Sequence, residues 1–140
     1  MKKIILFVLF GFFVIAGLAY AGALSLRNDL IGETLPVSEA KEKFGNQPFD
    51  EKKFKEGSTE LRGAMAASLI EGKTFVGTPI ASLKGRLGPH TGYLSNDMFP
   101  AYILNEGWHT SADTWQLVFL PDFSGKVKDV IINKNCCNRR

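Results

Sequence analysis

The stretch TWQLVFLPDFSGKVKDVIIN, residues 114–133, decides the fold class of this chain. Its first part, Thr114–Leu120, alternates two sets of side chains, with Trp, Leu and Phe at every second position, which is the period of a β-strand. Pro121–Gly125 has the length and the terminal glycine of a hairpin loop, in which a positive φ is often required. Lys126–Asn133 supplies the partner strand. The stretch therefore predicts an antiparallel hairpin.

Two helices are predicted upstream of this hairpin. Ser58–Gly72 begins with a serine that can accept hydrogen bonds from the free N–H groups of the first turn. Its apolar side chains recur at the helical period, at Leu61, Met65 and Leu69. The second helix begins at Thr78-Pro79, with threonine as N-cap and proline at the first helical position, and ends at Gly88-Pro89. Arg62 is expected to tie the first helix to the sheet.

The order of these elements predicts an α+β domain over residues 58–133. Ala101–Leu104 is expected as a further short strand. Helices on one face of an antiparallel sheet are a stable layer arrangement, so we expect two helices packed on a three-stranded sheet. Residues 27–57 are interpreted as a polar tether with short helices that dock through their phenylalanines, and residues 134–140 as a C-terminal tail.

The N-terminal run indicates a membrane. Lys2 and Lys3 precede Ile4–Leu26, which carries no charged residue and meets the roughly 20 residues that a transmembrane helix needs. A cleaved signal peptide is also compatible, because Ala19-Tyr20-Ala21 is a small-x-small site. Residues 1–26 are therefore expected to be a transmembrane anchor or a signal peptide. An anchor makes the protein single-pass in the cell membrane with its C-terminal domain on the periplasmic side, whereas cleavage after Ala21 makes it periplasmic or secreted.

The charge balance of the exported part argues against one class of partner. Of the 17 basic residues only Lys2 and Lys3 precede Gly22, so the remainder nearly balances the 14 acidic residues. Nucleic-acid binding depends on a clustered basic face, and we therefore expect no nucleic-acid partner.

The two cysteines, Cys136 and Cys137, are adjacent in the tail, where they can form only a strained vicinal disulfide. They are interpreted as spare thiols, with an intermolecular disulfide or a redox-sensitive pair as alternatives.

Residues with catalytic potential do not form a recognisable motif. His90 and His109 are the acid–base candidates, but neither lies in a nucleophile or metal motif. Gly72-Lys73-Thr74 is similar to the end of a phosphate loop, yet Ala67 stands where that loop requires glycine. We expect no enzymatic activity, no small-molecule substrate, no cofactor and no metal.

Aromatic side chains crowd the segment between residues 93 and 115. Aromatic anchors dominate binding hot spots, and loops carry function more often than cores do. Tyr102 and Trp115 are expected in the sheet core. The residues expected to contact a partner are Tyr93, Phe99, Trp108 and His109.

The motifs, in their order and spacing, resemble those of the SmpA/OmlA-type (BamE-like) small envelope proteins, the accessory family of outer-membrane assembly. Their fold is also that of the β-lactamase inhibitory proteins. The matching motifs lie within residues 48–133 and are Arg62-Gly63-Ala64-Met65, Gly77-Thr78-Pro79, Leu87-Gly88-Pro89, Pro100-Ala101-Tyr102, Trp115–Phe119 and Gly125–Val130. The chain lacks the lipid-attachment cysteine of that family and carries extra residues in the loop from Thr91 to Asp113. The resemblance implies the fold and an accessory or interaction role.

The expected function is that of a non-enzymatic, membrane-tethered envelope domain, an accessory or scaffolding subunit of a membrane or cell-envelope protein complex. Its expected partners are the lipid bilayer, through Ile4–Leu26, and an envelope or membrane protein. The alternative is a secreted inhibitor or binder of an exported hydrolase, which would dock through the sheet and the 93–113 loop.

Overall fold

The computed structural model describes residues 33–94, 99–105 and 114–134. The helices are α1 (Val37–Phe44), α2 (Glu51–Glu56), α3 (Thr59–Glu71) and α4 (Ile80–Leu87). The strands are β1 (Thr34–Leu35), β2 (Gly92–Leu94), β3 (Phe99–Asn105), β4 (Trp115–Pro121) and β5 (Val127–Lys134). This composition confirms the α+β class.

The strands form one antiparallel sheet in the order β1-β5-β4-β3-β2. The predicted hairpin is β4–β5, and the predicted third strand is β3. The sheet also contains β1 and β2, which are too short to show an alternating pattern. The expected combination of helices with an antiparallel sheet is therefore confirmed, but the described residues hold four helices and five strands and not the two helices and three strands that were expected.

Helix α3 is the helix predicted at Ser58–Gly72, and it lies at the centre of the helical layer. The Ser58 hydroxyl accepts a hydrogen bond from the backbone N–H of Leu61 at 3.3 Å, as its capping role requires. Gly63 faces the sheet so closely that an added Cβ would lie 3.1 Å from the carbonyl oxygen of Leu104. The absence of a side chain at Gly63 therefore lets α3 approach β3.

Five aromatic rings form a closed set of neighbours between the helices and the sheet. The centroid distances around the set lie between 5.6 and 5.9 Å, and the tilted or edge-to-face geometry is the one such pairs prefer. The members, in order around the set, are Phe49, Phe54, Tyr102, Phe119 and Phe75. Tyr102, Phe54, Phe75 and Phe119 are fully buried, so this set is the centre of the hydrophobic core.

The described part of the predicted tether packs as part of the domain. The described residues from Glu33 to Lys134 belong to the same compact unit as the sheet. Ala40 of α1 and Phe54 of α2 are buried, and Phe44 contacts Trp115 edge-on with ring centroids 6.4 Å apart. The polar composition of this segment reflects short helices that expose most of their surface and bury one or two residues each.

Two local predictions need correction. Helix α4 begins at Ile80, and Pro79, not Thr78, is at the N-cap position. The carbonyl oxygen of Thr78 instead accepts a hydrogen bond from the N–H of Val127 in the sheet, at 2.8 Å. Arg62 ties α3 to α2 and not to the sheet. Its guanidinium donates to the carbonyl oxygens of Phe54 and Lys55 at 2.9 and 3.3 Å.

The face of the sheet opposite the five-ring set contains a buried polar pair. Gln116 and Asn133 are opposite each other on β4 and β5, and both are fully buried. The side-chain amide of Gln116 donates to Asn133 Oδ1, and that of Asn133 donates to the carbonyl oxygen of Glu33, each at 3.5 Å. Ala101 and Val118 are buried on the same face. These four residues are therefore buried, whereas Ile103, Leu120 and Ile131 of the same face are half-buried.

Candidate functional site

The structure separates the predicted contact residues along the strands. Tyr93 and Phe99 lie in the β2–β3 hairpin, where Tyr93 pairs with Pro100 and Phe99 with Leu94. Trp108 and His109 lie outside the described residues, in the connection that leaves β3 at Asn105. Because Asn105 and Phe99 are the two ends of β3, the connection starts from the end opposite the β2–β3 hairpin. Tyr93 and Phe99 are thus brought together, but not with the start of the loop that carries Trp108 and His109.

Tyr102 and Trp115 are core residues, as predicted. The Tyr102 hydroxyl donates to the carbonyl oxygen of Gly88 at 3.1 Å, and burial raises its pKa to about 12. Trp115 is almost fully buried, with the ammonium groups of Lys43 and Lys134 each 5.6 Å from its ring centroid. Both aromatics stabilise the domain and are unavailable to a partner.

His90 is an exposed residue that follows the end of α4, with its ring centroid 5.6 Å from that of Tyr102. The described residues contain no group of three or more His, Cys, Asp and Glu side chains placed to bind a metal ion. His109, Cys136 and Cys137 lie outside these residues.

A shallow groove of about 360 Å³ lies between α2 and α4. It is lined by Glu51, Lys52, Lys55, Glu56, Gly85 and Arg86. Arg86 Nε donates to both Glu51 oxygens at 3.0 and 3.1 Å, and this hydrogen bonding lowers the pKa of Glu51. Lys55 Nζ donates to the carbonyl oxygen of Gly85 at 2.8 Å. These hydrogen bonds hold α4 against α2. We therefore interpret the charged residues that line the groove as stabilising the contact between the two helices.

The β4–β5 hairpin presents an exposed aromatic that sequence analysis did not single out. Among the described residues, the exposed large hydrophobic side chains are Val76 and Phe123. Phe123 lies at the tip of the predicted loop, and Gly125 has the expected positive φ of 75°. The position of a phenylalanine inside a polar turn was the only sequence feature that could have indicated an exposed aromatic. The same position is equally compatible with a side chain that folds back on the core.

Comparison of the chain with models of protein families, with curated proteins and with solved structures finds no match in any of the three. Within the described residues, no helix is long and apolar enough to span a membrane. The predicted anchor or signal segment, Ile4–Leu26, lies outside them.

Proposed function

We propose that this protein is a membrane-tethered envelope domain that acts by binding, as an accessory or scaffolding subunit of a membrane or cell-envelope complex. The observation that carries the proposal is the attachment of the chain at Glu33. The N–H of Lys134 donates to the Glu33 carbonyl oxygen at 2.7 Å, and Thr34 and Leu35 then pair with β5. The folded domain therefore begins a few residues after the apolar run ends at Leu26.

This short connection limits how far the domain can lie from a bilayer that holds the apolar run. Residues 27–32 can span about 20 Å when fully extended. A domain held at that distance lies within reach of other membrane-associated proteins. An interaction role agrees with the resemblance to small envelope accessory proteins.

The proposal is tested on the full chain, tagged at its C-terminus and purified from its native membranes in mild detergent. Mass spectra of the intact chain and of co-purifying proteins are then recorded. We expect a chain that retains residues 1–21, together with a stoichiometric membrane or envelope protein. A chain that starts at Gly22 and has no membrane partner would contradict the proposal and favour the secreted inhibitor or binder.

The matched control is Ala21→Phe, which removes the small residue beside the possible cleavage point. An uncleaved anchor gives the same chain start in this variant as in the wild type. A cleaved signal peptide instead gives accumulation of the longer form, which would show that the wild type is processed.

The predicted contact at Trp108 is tested in the same preparation. Trp108→Ala is expected to reduce the recovery of the partner without changing thermal stability. Trp115→Ala is the control for a buried tryptophan and is expected to lose roughly 3–5 kcal/mol of stability. A comparable loss in Trp108→Ala would contradict an exposed contact at that position.

A further inference from the structure

We propose that the side chain of Asp129 protects an open edge of β5 from pairing with a second copy of this chain. The open edge is defined here as residues 128–131, on the side of β5 that faces away from β4. Asp129 accepts a hydrogen bond from the N–H of Val130 at 2.8 Å, and this bond occupies the edge. The role is independent of the proposed function, because it concerns the folded domain alone.

Strand β1 covers only the C-terminal part of β5. Thr34 and Leu35 pair with Asn133 and Ile132, and the chain then leaves the sheet to form α1. A two-residue edge strand therefore leaves most of the eight-residue β5 without a neighbouring strand on that side, within the described part of the chain. An uncovered edge presents N–H and C=O groups to which another strand can add.

The turn before α4 covers the N-terminal end of the same side. The N–H of Val127 donates to the carbonyl oxygen of Thr78, and the N–H of Gly77 donates to that of Val127, both at 2.8 Å. The open edge lies between this turn and β1. Lys128 and Asp129 are exposed, so solvent reaches this part of the strand.

The direction of the Val130 N–H follows from the geometry of the strand. Successive residues of a strand direct their N–H and C=O groups to opposite edges in turn. The N–H of Lys134 points away from β4, since it donates to the carbonyl oxygen of Glu33 at 2.7 Å. Val130 lies four residues earlier, so its N–H and C=O point to the same edge. Val130 therefore has both the donor and the acceptor that an added strand would need.

Asp129 removes the donor from this pair of groups. Its Oδ1 already accepts the hydrogen bond from the Val130 N–H, and its charge would lose water if a second strand approached. A strand added here would therefore lack one hydrogen bond and would bury a carboxylate. Charged side chains at sheet edges are one of the ways in which natural proteins prevent association.

Two further features of the sheet agree with this role. The edge strands β1 and β2 are only two and three residues long, and short edge strands offer little length for pairing. The register of β4 against β5 shifts between Leu120 and Pro121, which places an irregularity at Val127–Asp129 on the opposite strand. Such an irregularity bends and twists the strand, so an added strand follows it poorly.

A second copy of this chain is the partner against which Asp129 is best placed. Two copies of β5 related by a two-fold axis can pair antiparallel at Val130, each donating its N–H to the carbonyl oxygen of the other. In that register, Ile131 of one copy lies opposite position 129 of the other. The wild type places a carboxylate opposite this half-buried isoleucine, whereas alanine there would form an apolar cross-strand pair.

The test compares the full wild-type chain with Asp129→Ala in mild detergent, by sedimentation over a concentration series. We expect the variant to self-associate about tenfold or more tightly, because two hydrogen bonds become available and no carboxylate is buried. Hydrogen exchange of the Val130 amide is the local readout. Its rate in Asp129→Ala should fall as the protein concentration rises, whereas the wild-type rate should not depend on concentration.

Asp129→Asn and Glu42→Ala are the matched controls. Asparagine retains an oxygen that can accept from the Val130 N–H, and Glu42→Ala removes the same charge at an exposed position of α1. Both variants should associate no more tightly than the wild type. Association of either control as strong as that of Asp129→Ala would overturn the proposal, since lost charge would then explain the effect.

A purely structural role of the bond gives a different result. Asp129→Ala would then lose thermal stability, but its association and the concentration dependence of Val130 exchange would match the wild type. That outcome would also overturn the proposal. None of these measurements uses a co-purifying protein, so their failure leaves the proposed function intact.

Discussion

The hydroxyl of Tyr102 on β3 and the carbonyl oxygen of Gly88 at the end of α4 share a buried hydrogen bond of 3.1 Å. Gly88 has a φ of 87°, a left-handed conformation that glycine adopts readily and that ends the helix. The bond gives one of the free carbonyl groups at the helix end a partner from the sheet. It joins the helical layer to the sheet at the centre of the five aromatic rings.

Tyr102→Phe is expected to cost about 1 kcal/mol of unfolding free energy, because it removes this bond and leaves the ring in place. The wild type should also lose stability as the pH rises from 10 toward 12. The pKa of Tyr102 is raised from 10.0 to about 12, so the unfolded chain releases the phenolic proton first. The loss across this window amounts to roughly 2–3 kcal/mol.

The check is urea unfolding of the purified domain at pH 7, 10 and 11.5, for both proteins. Tyr102→Phe should show the smaller decrease above pH 10, since the variant lacks the ionisable group. Parallel decreases in the two proteins would contradict the assignment.

Adding a side chain at two helical glycines is expected to have opposite effects on stability. Gly85, in α4, has open space where a Cβ would be placed, so Gly85→Ala should stabilise the protein by about 0.5–1 kcal/mol through helix propensity. Gly63→Val should destabilise the protein by about 1–3 kcal/mol, because even a Cβ at this position would lie 3.1 Å from the Leu104 carbonyl oxygen. Thermal unfolding of the two variants and of the wild type tests both expectations. A Gly63→Val variant as stable as the wild type would show that α3 does not approach β3 this closely.

The elements that sequence analysis predicted well are those whose signals are local. Ser58 as a cap, the spacing of Met65 and Leu69, and the turn ending in Gly125 all act within a few residues. Each of these signals depends on backbone geometry that neighbouring residues determine. The N-cap of α4 was misplaced by one residue because the Thr78 carbonyl bonds Val127, a contact between residues distant in sequence.

Contacts between distant residues explain most of what the sequence did not predict. Arg86 and Glu51 are 35 positions apart, and Gln116 and Asn133 are 17 apart. The sequence shows that these side chains are charged or carry an amide, but it does not show which residue each of them contacts. The exposure of Phe123 could not be predicted from the sequence either. The side chain of a phenylalanine in a turn can point toward the core or toward solvent, and tertiary packing determines which of the two occurs.

Arg62 is expected to stabilise the contact between α2 and α3. Its two hydrogen bonds, to Phe54 and Lys55, satisfy carbonyl groups at the end of a short helix. Arg62→Met, which keeps the length of the side chain, should therefore cost about 1–3 kcal/mol. Lys84→Met, at an exposed position of α4, is the control and should stay within about 0.5 kcal/mol of the wild type. Chemical denaturation of both variants checks this, and equal stabilities would show that the bonds contribute nothing net.

The carboxylate of Asp122 is expected to control the order of the hairpin tip through pH. Hydrogen bonds from Ser124 and from the backbone of Lys126 lower the pKa of Asp122 below its ordinary value of 3.8. A group with a lowered pKa contributes stability above its unfolded pKa and loses that contribution as the pH falls through the folded value. The tip should therefore be ordered at neutral pH and loosen progressively below about pH 3.8.

Backbone amide NMR of Ser124 and Lys126 measures this directly, with Asp122→Asn as the matched control. Asparagine retains an oxygen acceptor at the same place but cannot ionise, so the variant should show no transition in this pH range. Asp122→Ala should raise the hydrogen-exchange rates of both amides already at neutral pH. If the amides of the wild type show no acid transition, the carboxylate does not hold the loop.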